Sequence, residues 1–474
     1  MEKLEKKLLN STIIYFVGNA LTQIISLVLM RFVTNKVVPE EYGVYSLVVT
    51  ITNLVVPIVT LQISDAVFKF LIKSVNIDQK EKYFTAAIYV FIFSTAIISL
   101  GIFIINFFIT IPHVISIALY MITTSFFTIY HRVVRAFGKN KVYVIGNLGK
   151  TTLYLGLEIL LLYAFGLGVE ALFLSVAISN IVCIIFLEIK TRAFKFIKFH
   201  KFDATVFKAM LMFSLPLVPN AICWWLTSSV NSIIVSAKIG LDVNGIYSVA
   251  HKFSSALTLI TSVFALSWQE TAIAGYEEKE FKTFFTQTFS MYFTGVFSVI
   301  SALIPFVFIV FPFMIDQNYG DAVMYVPFLL IASGLSALAG FFAQVFIAKG
   351  DSKKVFLTNA FGMLTNIAIV FLLISKIGLW AAVVGTCVAE LFVACSRMLL
   401  LRKEFTRGIN VLKIIISFVV LVISIFMYFY LKNVIYNVIW CLISLVVAVA
   451  LNFKFIRDLL SIIFKKRKKR ANHE

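Results

Sequence analysis

Of the 474 residues, 61% are hydrophobic and only 14% are charged, whereas a soluble domain carries about half and a quarter. That excludes an ordinary water-soluble enzyme, and the net charge of +19 has to be read against a membrane. Apolar runs long enough to cross hydrocarbon, about 20 helical residues each, recur from Ser11 to Phe455.

In chain order the spans run 11–33, 43–66, 83–108, 110–131, 141–164 and 167–188. After a basic stretch come 210–237, 245–274, 284–314, 323–348, 354–375 and 377–401, and two more follow at 411–431 and 433–455. The expected fold is all-α integral membrane, with about 14 transmembrane helices. The expected organisation is a first lobe over 1–188, a basic cytoplasmic linker over 189–209 and a second lobe over 210–401. Two accessory spans over 402–455 and a basic cytoplasmic tail over 456–474 complete it.

With the N-terminus inside, 34 of the 42 Lys and Arg fall in inner segments. The outer loops hold only Lys36, Lys238, Lys376 and Lys432, while Arg31, Lys150, Lys252 and Arg397 lie within spans. This is the positive-inside signature, kept across every loop, and it puts both termini in the cytoplasm of a cell (inner) membrane. The run Lys465 to Arg470 has the same origin, with attraction to anionic lipid, so a nucleic-acid partner is not expected. The opening MEKLEKKLLN precedes an apolar stretch too long for a cleaved signal peptide and reads as a retained first anchor. Cys183, Cys223, Cys387, Cys395 and Cys441 all sit in apolar spans without a CxxC pair or nearby histidines, so they read as packing residues and no metal is expected.

Residues 11–188 are echoed in 210–401. Asn19-Ala20-Leu21 corresponds to Asn220-Ala221-Ile222, and Gly43-Val44-Tyr45-Ser46 to Gly245-Ile246-Tyr247-Ser248. Ala136 and Gly138 match Ala348 and Gly350, and Gly149 matches Gly362. Because six spans is an even number, both copies start on the cytoplasmic side and are related by an axis along the membrane normal. Such lobes bind substrate between them and rock against one another.

Pro39-Glu40-Glu41-Tyr42-Gly43-Val44-Tyr45-Ser46 and Leu215-Pro216-Leu217-Val218-Pro219-Asn220 carry a family resemblance. Arg135-Ala136-Phe137 with Asn140 and Tyr143, Asn318-Tyr319-Gly320-Asp321-Ala322, and Ile377-Gly378-Leu379-Trp380-Ala381-Ala382 add to it in family order and spacing. The chain resembles the polysaccharide-biosynthesis (Wzx-type) oligosaccharide flippases of the multidrug/oligosaccharidyl-lipid/polysaccharide (MOP, MATE-like) exporter superfamily. The resemblance implies two six-helix lobes that open alternately, a central cavity for a phosphate-sugar headgroup, and a polyprenyl tail left in lipid. It departs from the family at Asn231-Ser232, where an Asp-Arg pair is common, while Arg31 stands at the matching place in the first span.

Ionisable residues inside a membrane are costly and mark functional sites by default. At about 1.5 Å per residue, Lys150 lies roughly 13 Å from the cytoplasmic face and Lys252 roughly 10 Å from the outer face, with Glu390 near mid-membrane. Arg31, Asp65, Glu170, Glu270 and Arg397 are nearer span ends, where snorkelling to the interface is cheaper. Asn147, Lys150, Tyr154 and Glu158 share one helical face, and such a polar stripe must face protein or water. Tyr247, His251, Ser255, Thr258 and Ser262 repeat the pattern beside Lys252, and Asn220, Trp224, Thr227 and Asn231 form another, with Asn19, Thr22 and Ser26 in the first span. For the hydroxyls, ordinary interhelical hydrogen bonding is the simpler reading. For Lys150 and Lys252 the favoured reading is a hydrated cationic cavity, to which Arg31, Asn19, Asn147, Tyr154, Asn220, Asn231 and His251 contribute. Gly149-Lys150-Thr151 imitates the end of a P-loop, but Val144 stands where the first glycine is needed. With no nucleotide motif and no cofactor, the driving force falls to an ion gradient, the membrane potential or removal of product on the far side, with Glu158, Glu390 and Asp65 as candidates for H⁺ or Na⁺ coupling.

The expected activity is transport of a polyprenyl-(pyro)phosphate-linked oligosaccharide, not catalysis. The expected partners are that lipid-linked oligosaccharide, membrane lipids, and the polymerase or glycosyltransferases of its pathway. A multidrug/cation antiporter of the same superfamily is the nearest rival, but it favours acidic residues in its cavity. A membrane glycosyltransferase or polymerase needs a larger outer loop than any here. The charge count predicts that Asp316 faces outward. A membrane-impermeant thiol reagent added outside should modify Asp316→Cys and spare Ser352→Cys, and the opposite pattern overturns the orientation.

Overall fold

In the computed structural model, which describes residues 29–453 apart from 75, 279 and 407, the chain is built from α-helices joined by short connections and 3₁₀ turns. The helices are α1 Pro39–Val59, α2 Ile63–Lys73, α3 Ile77–Phe108, α4 Val114–Ala136, α5 Asn140–Tyr163, α6 Val169–Thr191, α7 Ala204–Ser214, α8 Leu217–Lys238 and α9 Leu241–Gly275. They continue as α10 Phe281–Met314, α11 Val326–Ala348, α12 Ser352–Ile377, α13 Trp380–Leu400, α14 Val411–Tyr430 and α15 Val434–Leu451. Ten of the described helices are long and apolar enough to cross a membrane, so the protein is a multi-pass membrane protein, all-helical among the described residues. Helices α5, α8 and α9, of 24, 22 and 35 residues, have the length as well and carry the polar stripes. The expected span at 11–33 falls largely outside the described residues, as does the basic tail.

Contacts divide the chain into two units, one up to Gly245 and one from Ile246. In the first, α5 packs along α6, α4 packs on α6 and α2, and α8 lies against α1. Its core is formed by Ile63, Val67, Phe84, Ile129, Tyr130, Val133 and Val134, all fully buried. In the second unit α12 and α11 pack on α13, and the α14–α15 hairpin packs on α10. Ser424 Oγ donates to the Ser301 carbonyl and Trp440 Nε1 to Ser424 Oγ, which ties that hairpin down.

The expected single span at 43–66 is interrupted. Helix α1 stops at Val59, and the chain turns through Leu61 and Gln62, both at φ 52°, before α2 begins. Leu61 N–H donates to the Ile58 carbonyl and Gln62 N–H to the Pro57 carbonyl, the paired bonds that close a helix whose next residue is left-handed. A leucine occupies the place where glycine is usual. Likewise the span at 210–237 is two helices, α7 and α8, separated at Leu215-Pro216, where both residues keep helical dihedrals but proline has no N–H to donate to the preceding turn.

The internal repeat has backbone counterparts. Gly138 after α4 and Gly350 after α11 end their helices at φ 72° and 75°. Gly168 before α6 has φ 53° and ψ −136°, and Gly378 before α13 has φ 57° and ψ −135°. Gly43 and Gly245 meet each other. A Cβ on Gly43 would overlap the Leu241 carbonyl, and one on Gly245 would overlap the Pro39 carbonyl. Asn244, fully buried, holds the crossing by donating from Nδ2 to the Gly43 carbonyl at 3.2 Å while accepting from Ser232 Oγ at 2.7 Å. One helix further along, Trp225 Nε1 donates to the Thr50 carbonyl at 2.7 Å.

Because the obstructing atoms are backbone, the crossing has no rotamer with which to yield. Gly43→Ala and Gly245→Ala should each lower stability by about 1–3 kcal/mol, and the double variant should fall short of the sum because both separate the same pair of helices. Thermal unfolding in detergent measures this, and additive losses would refute the shared contact.

Candidate functional site

The polar stripe of α5 is the most informative part of the chain. Glu158 is only 4% exposed, and Tyr154, one turn earlier on the same face, donates its hydroxyl to Glu158 Oε1 at 3.2 Å. Tyr45, from the motif that opens α1, pairs with Tyr154 through its hydroxyl. The Tyr45 ring lies 5.3 Å from Phe173 on α6, and Phe173 lies 5.8 Å from Tyr120 on α4. The Glu158 carboxyl thus adjoins Tyr154, which is backed by a chain of rings, Tyr45, Phe173 and Tyr120, from three other helices. A buried acid in this setting is a place to hold a proton or a small cation.

Two turns toward the other end of α5, half-buried Lys150 lies over the face of Phe127 at 3.8 Å from the ring centroid. Phe127 stacks on His131, and His131 on Tyr143, at centroid distances of 4.9 and 4.0 Å. The helix sits close to α6 here, where Gly146 leaves room for Leu187 and accepts from Cys183 Sγ at 3.2 Å. Among the described residues no carboxylate pairs with Lys150. A cation–π contact contributes about 0.5–2 kcal/mol, which steadies an ammonium group without neutralising it. The charge therefore remains available to an anion. Asn147 is half-buried one turn away. Gly149-Lys150-Thr151 lies within the helix, where no phosphate loop can form.

The other sequence candidates are dispersed. Arg31 is half-buried on the helical stretch 29–34, Asn231 on α8 is 6% exposed, and Lys252 on α9 is half-buried beside exposed His251, whose ring is 6.0 Å from Tyr247. Asn19 lies outside the described residues, as does the side chain of Asn220. Asp65 on α2 pairs with Arg132 on α4 at 3.2 Å. Glu390 on α13 is half-buried, with the Ser336 hydroxyl in hydrogen-bond reach.

Arg397 corrects an expectation. Instead of snorkelling to the interface it is 3% exposed, and it donates to Thr358 Oγ1 at 2.9 Å, the Ala339 carbonyl at 2.7 Å, the Val355 carbonyl at 3.1 Å and Asn359 Oδ1 at 2.7 Å. Its donors fasten α11 and α12 to α13. The guanidinium turns inward because these acceptors are already in place, so Arg397 is a structural clasp.

Sequence reasoning missed Tyr45, Tyr120, Phe127, His131 and Phe173 as parts of the site. Tyr154 and Glu158 are visible from their spacing of four, but the other rings arrive from distant helices. Outside the membrane, the linker is fastened by charge. Asp203 accepts from the Val206 and Thr205 amides and faces Lys82 at 3.2 Å, and these partners hold its carboxyl below the usual range. Lys201 is pushed up by Glu81 and Asp78 at 2.6 and 2.9 Å.

The sequence profile of the family described as polysaccharide biosynthesis protein matches residues 8–268. No curated protein matches the chain. Among solved structures, the lipid II flippase MurJ in an inward closed conformation superposes with a TM-score of 0.69 at 15% identity, over 94% of this chain and 100% of that one. An inward-facing multidrug resistance MATE family transporter of the MOP superfamily gives 0.65 at 13%, over 81% and 94%. A mutant of the Vibrio cholerae MATE transporter VcmN gives 0.54 at 14%, over 85% and 97%.

Proposed function

The chain belongs to the polysaccharide biosynthesis protein family, within the MOP superfamily of transporters and flippases, and on that premise we propose that it is a flippase for a polyprenyl-(pyro)phosphate-linked oligosaccharide. It carries the headgroup from the cytoplasmic to the outer leaflet of the cell membrane for surface polysaccharide synthesis, by alternating access between two lobes of six spans, and both termini are cytoplasmic. It is not an enzyme and uses no cofactor.

The observation that carries this reading is Lys150, a membrane-embedded ammonium group steadied by an aromatic face with no acid opposite it among the described residues. An organic cation would be repelled there, which disfavours multidrug antiport. A pyrophosphate is attracted. Lys252, from the second lobe, is the proposed second ligand, with Arg31, Asn147, Tyr154, Asn231 and His251 around the sugar. An inside-negative potential favours outward movement of an anion by about 2.3 kcal/mol per charge per 100 mV if it crosses unpaired. Glu158 and Glu390 are the proposed coupling sites for H⁺ or Na⁺. Asp65, already paired with Arg132, is the weaker third.

The headgroup shifts the conformational equilibrium only through a difference in affinity between states, which two lysines that separate on opening would provide. Lys150→Ala and Lys252→Ala should each lower flux in proteoliposomes at least tenfold at equal abundance, Lys→Arg should retain part of it, and neither should unfold the protein. Wild-type flux from the double Lys→Ala variant would remove both residues from the site.

A further inference from the structure

At the basic end of α4 the structure gathers two arginines on one aromatic ring. The guanidinium of Arg132 is 5.8 Å and that of Arg135 4.9 Å from the centroid of Phe68 on α2. Their spacing of three places them on one face of α4, and Asp65 and Phe68, also three apart, answer them from α2. Asp65 engages Arg132 at 3.2 Å. Arg135 is exposed and, among the described residues, has neither a hydrogen-bond nor an ion-pair partner. Lys69, next to Phe68, turns away to Phe213 at 3.6 Å. Two cations thus share one ring, and the one carboxylate engages only Arg132.

The platform is rigid. Beneath it, Ile63, Ala66 and Val67 of α2 and Ile129, Tyr130, Val133 and Val134 of α4 are all completely buried, so Phe68 and the α4 backbone cannot drift apart. A helix C-terminus welcomes a cation, but that effect is satisfied by one basic residue in any rotamer. It does not explain two planar guanidinium groups held on the same ring. A guanidinium within cation–π reach of an aromatic face keeps N–H donors available, and its planar fork suits bidentate recognition of a phosphate.

We propose that Arg132 and Arg135 over Phe68 form a docking site for the phosphate of a lipid headgroup at the cytoplasmic interface. The lipid-linked diphosphate of the proposed substrate is held there before it moves to Lys150, an assignment that rests on the flippase reading. Bulk anionic phospholipid offers the same chemistry and is the other source.

The test uses the full-length protein in phosphatidylcholine nanodiscs, with geranylgeranyl diphosphate as the labelled probe and inorganic pyrophosphate and phosphatidylglycerol as competitors. Arg135→Gln should weaken probe binding at least tenfold and Arg132→Gln several-fold. Phe68→Leu, which keeps every charge, should cost several-fold because the guanidinium groups lose their support. Lys139→Gln removes the same charge from a side chain that donates to the Lys190 carbonyl and should change binding less than twofold. Competition by pyrophosphate supports headgroup recognition, whereas equal competition by phosphatidylglycerol overturns the substrate assignment and leaves a phospholipid site. Binding by Arg135→Gln within twofold of wild type, or an equal loss in Lys139→Gln, overturns the site itself. Thermal midpoints near wild type identify variants that fold. Binding is measured without transport, so loss of flux in Lys150→Ala with binding intact bears on the cavity reading alone.

Discussion

Hydrocarbon offers no hydrogen-bond partner, and a polar group carried into it must find one in the protein or in trapped water. Most of the polar side chains here meet that demand locally. Thr52, Thr123, Thr294 and Ser301 return their hydroxyls to a carbonyl one turn back on their own helix. Others join helices, as Trp225 does to Thr50, Trp268 to the Phe341 carbonyl and Arg397 to both its neighbours. These groups are spent on structure. Subtracting them leaves a short remainder, in which Glu158 inside its tyrosines and Lys150 on Phe127 stand out.

The same constraint explains where the backbone is irregular. Leu61 and Gln62 take left-handed conformations, which cost about 1–2 kcal/mol each for residues with a Cβ, yet their amides are satisfied by Ile58 and Pro57. The break lets α2 turn its Ile63 and Val67 into the core and present Asp65 and Phe68 to α4. At the Gly43–Gly245 crossing, absence of side chains lets two backbones touch, and Asn244 supplies the hydrogen bond. Both places spend sequence on backbone geometry, and Gly43 lies in a segment that carries the family resemblance.

Helix positions were legible in the sequence because apolar length and charge asymmetry are local properties. The turns at Gly138 and Gly350 were legible as well, since local sequence specifies them. The interruption at Leu61 was hidden, because only Pro57 hints at it and proline is tolerated within membrane helices. Half of the candidate site was visible for the same reason. Tyr154 and Glu158 share a helix face, but the chain of rings behind Tyr154, made by Tyr45, Phe173 and Tyr120, comes from three other helices, which no periodicity reports. Arg397 reads as an interfacial residue from its depth alone. Its inward turn depends on acceptors on α11 and α12, 38 or more residues away in sequence.

An ammonium group with no carboxylate partner among the described residues and a shielded carboxyl on the same helix suit a transporter that draws an anion into its cavity and answers to an ion. Charge on the cargo is what separates this reading from cation antiport within one fold. The most direct measurement is translocation by the purified protein in proteoliposomes, with a fluorescent polyprenyl-diphosphate oligosaccharide and an organic cation offered in parallel. A flippase moves the lipid-linked headgroup to the opposite leaflet at a rate set by protein abundance and leaves the cation where it was. Cation transport with no headgroup movement would contradict the assignment.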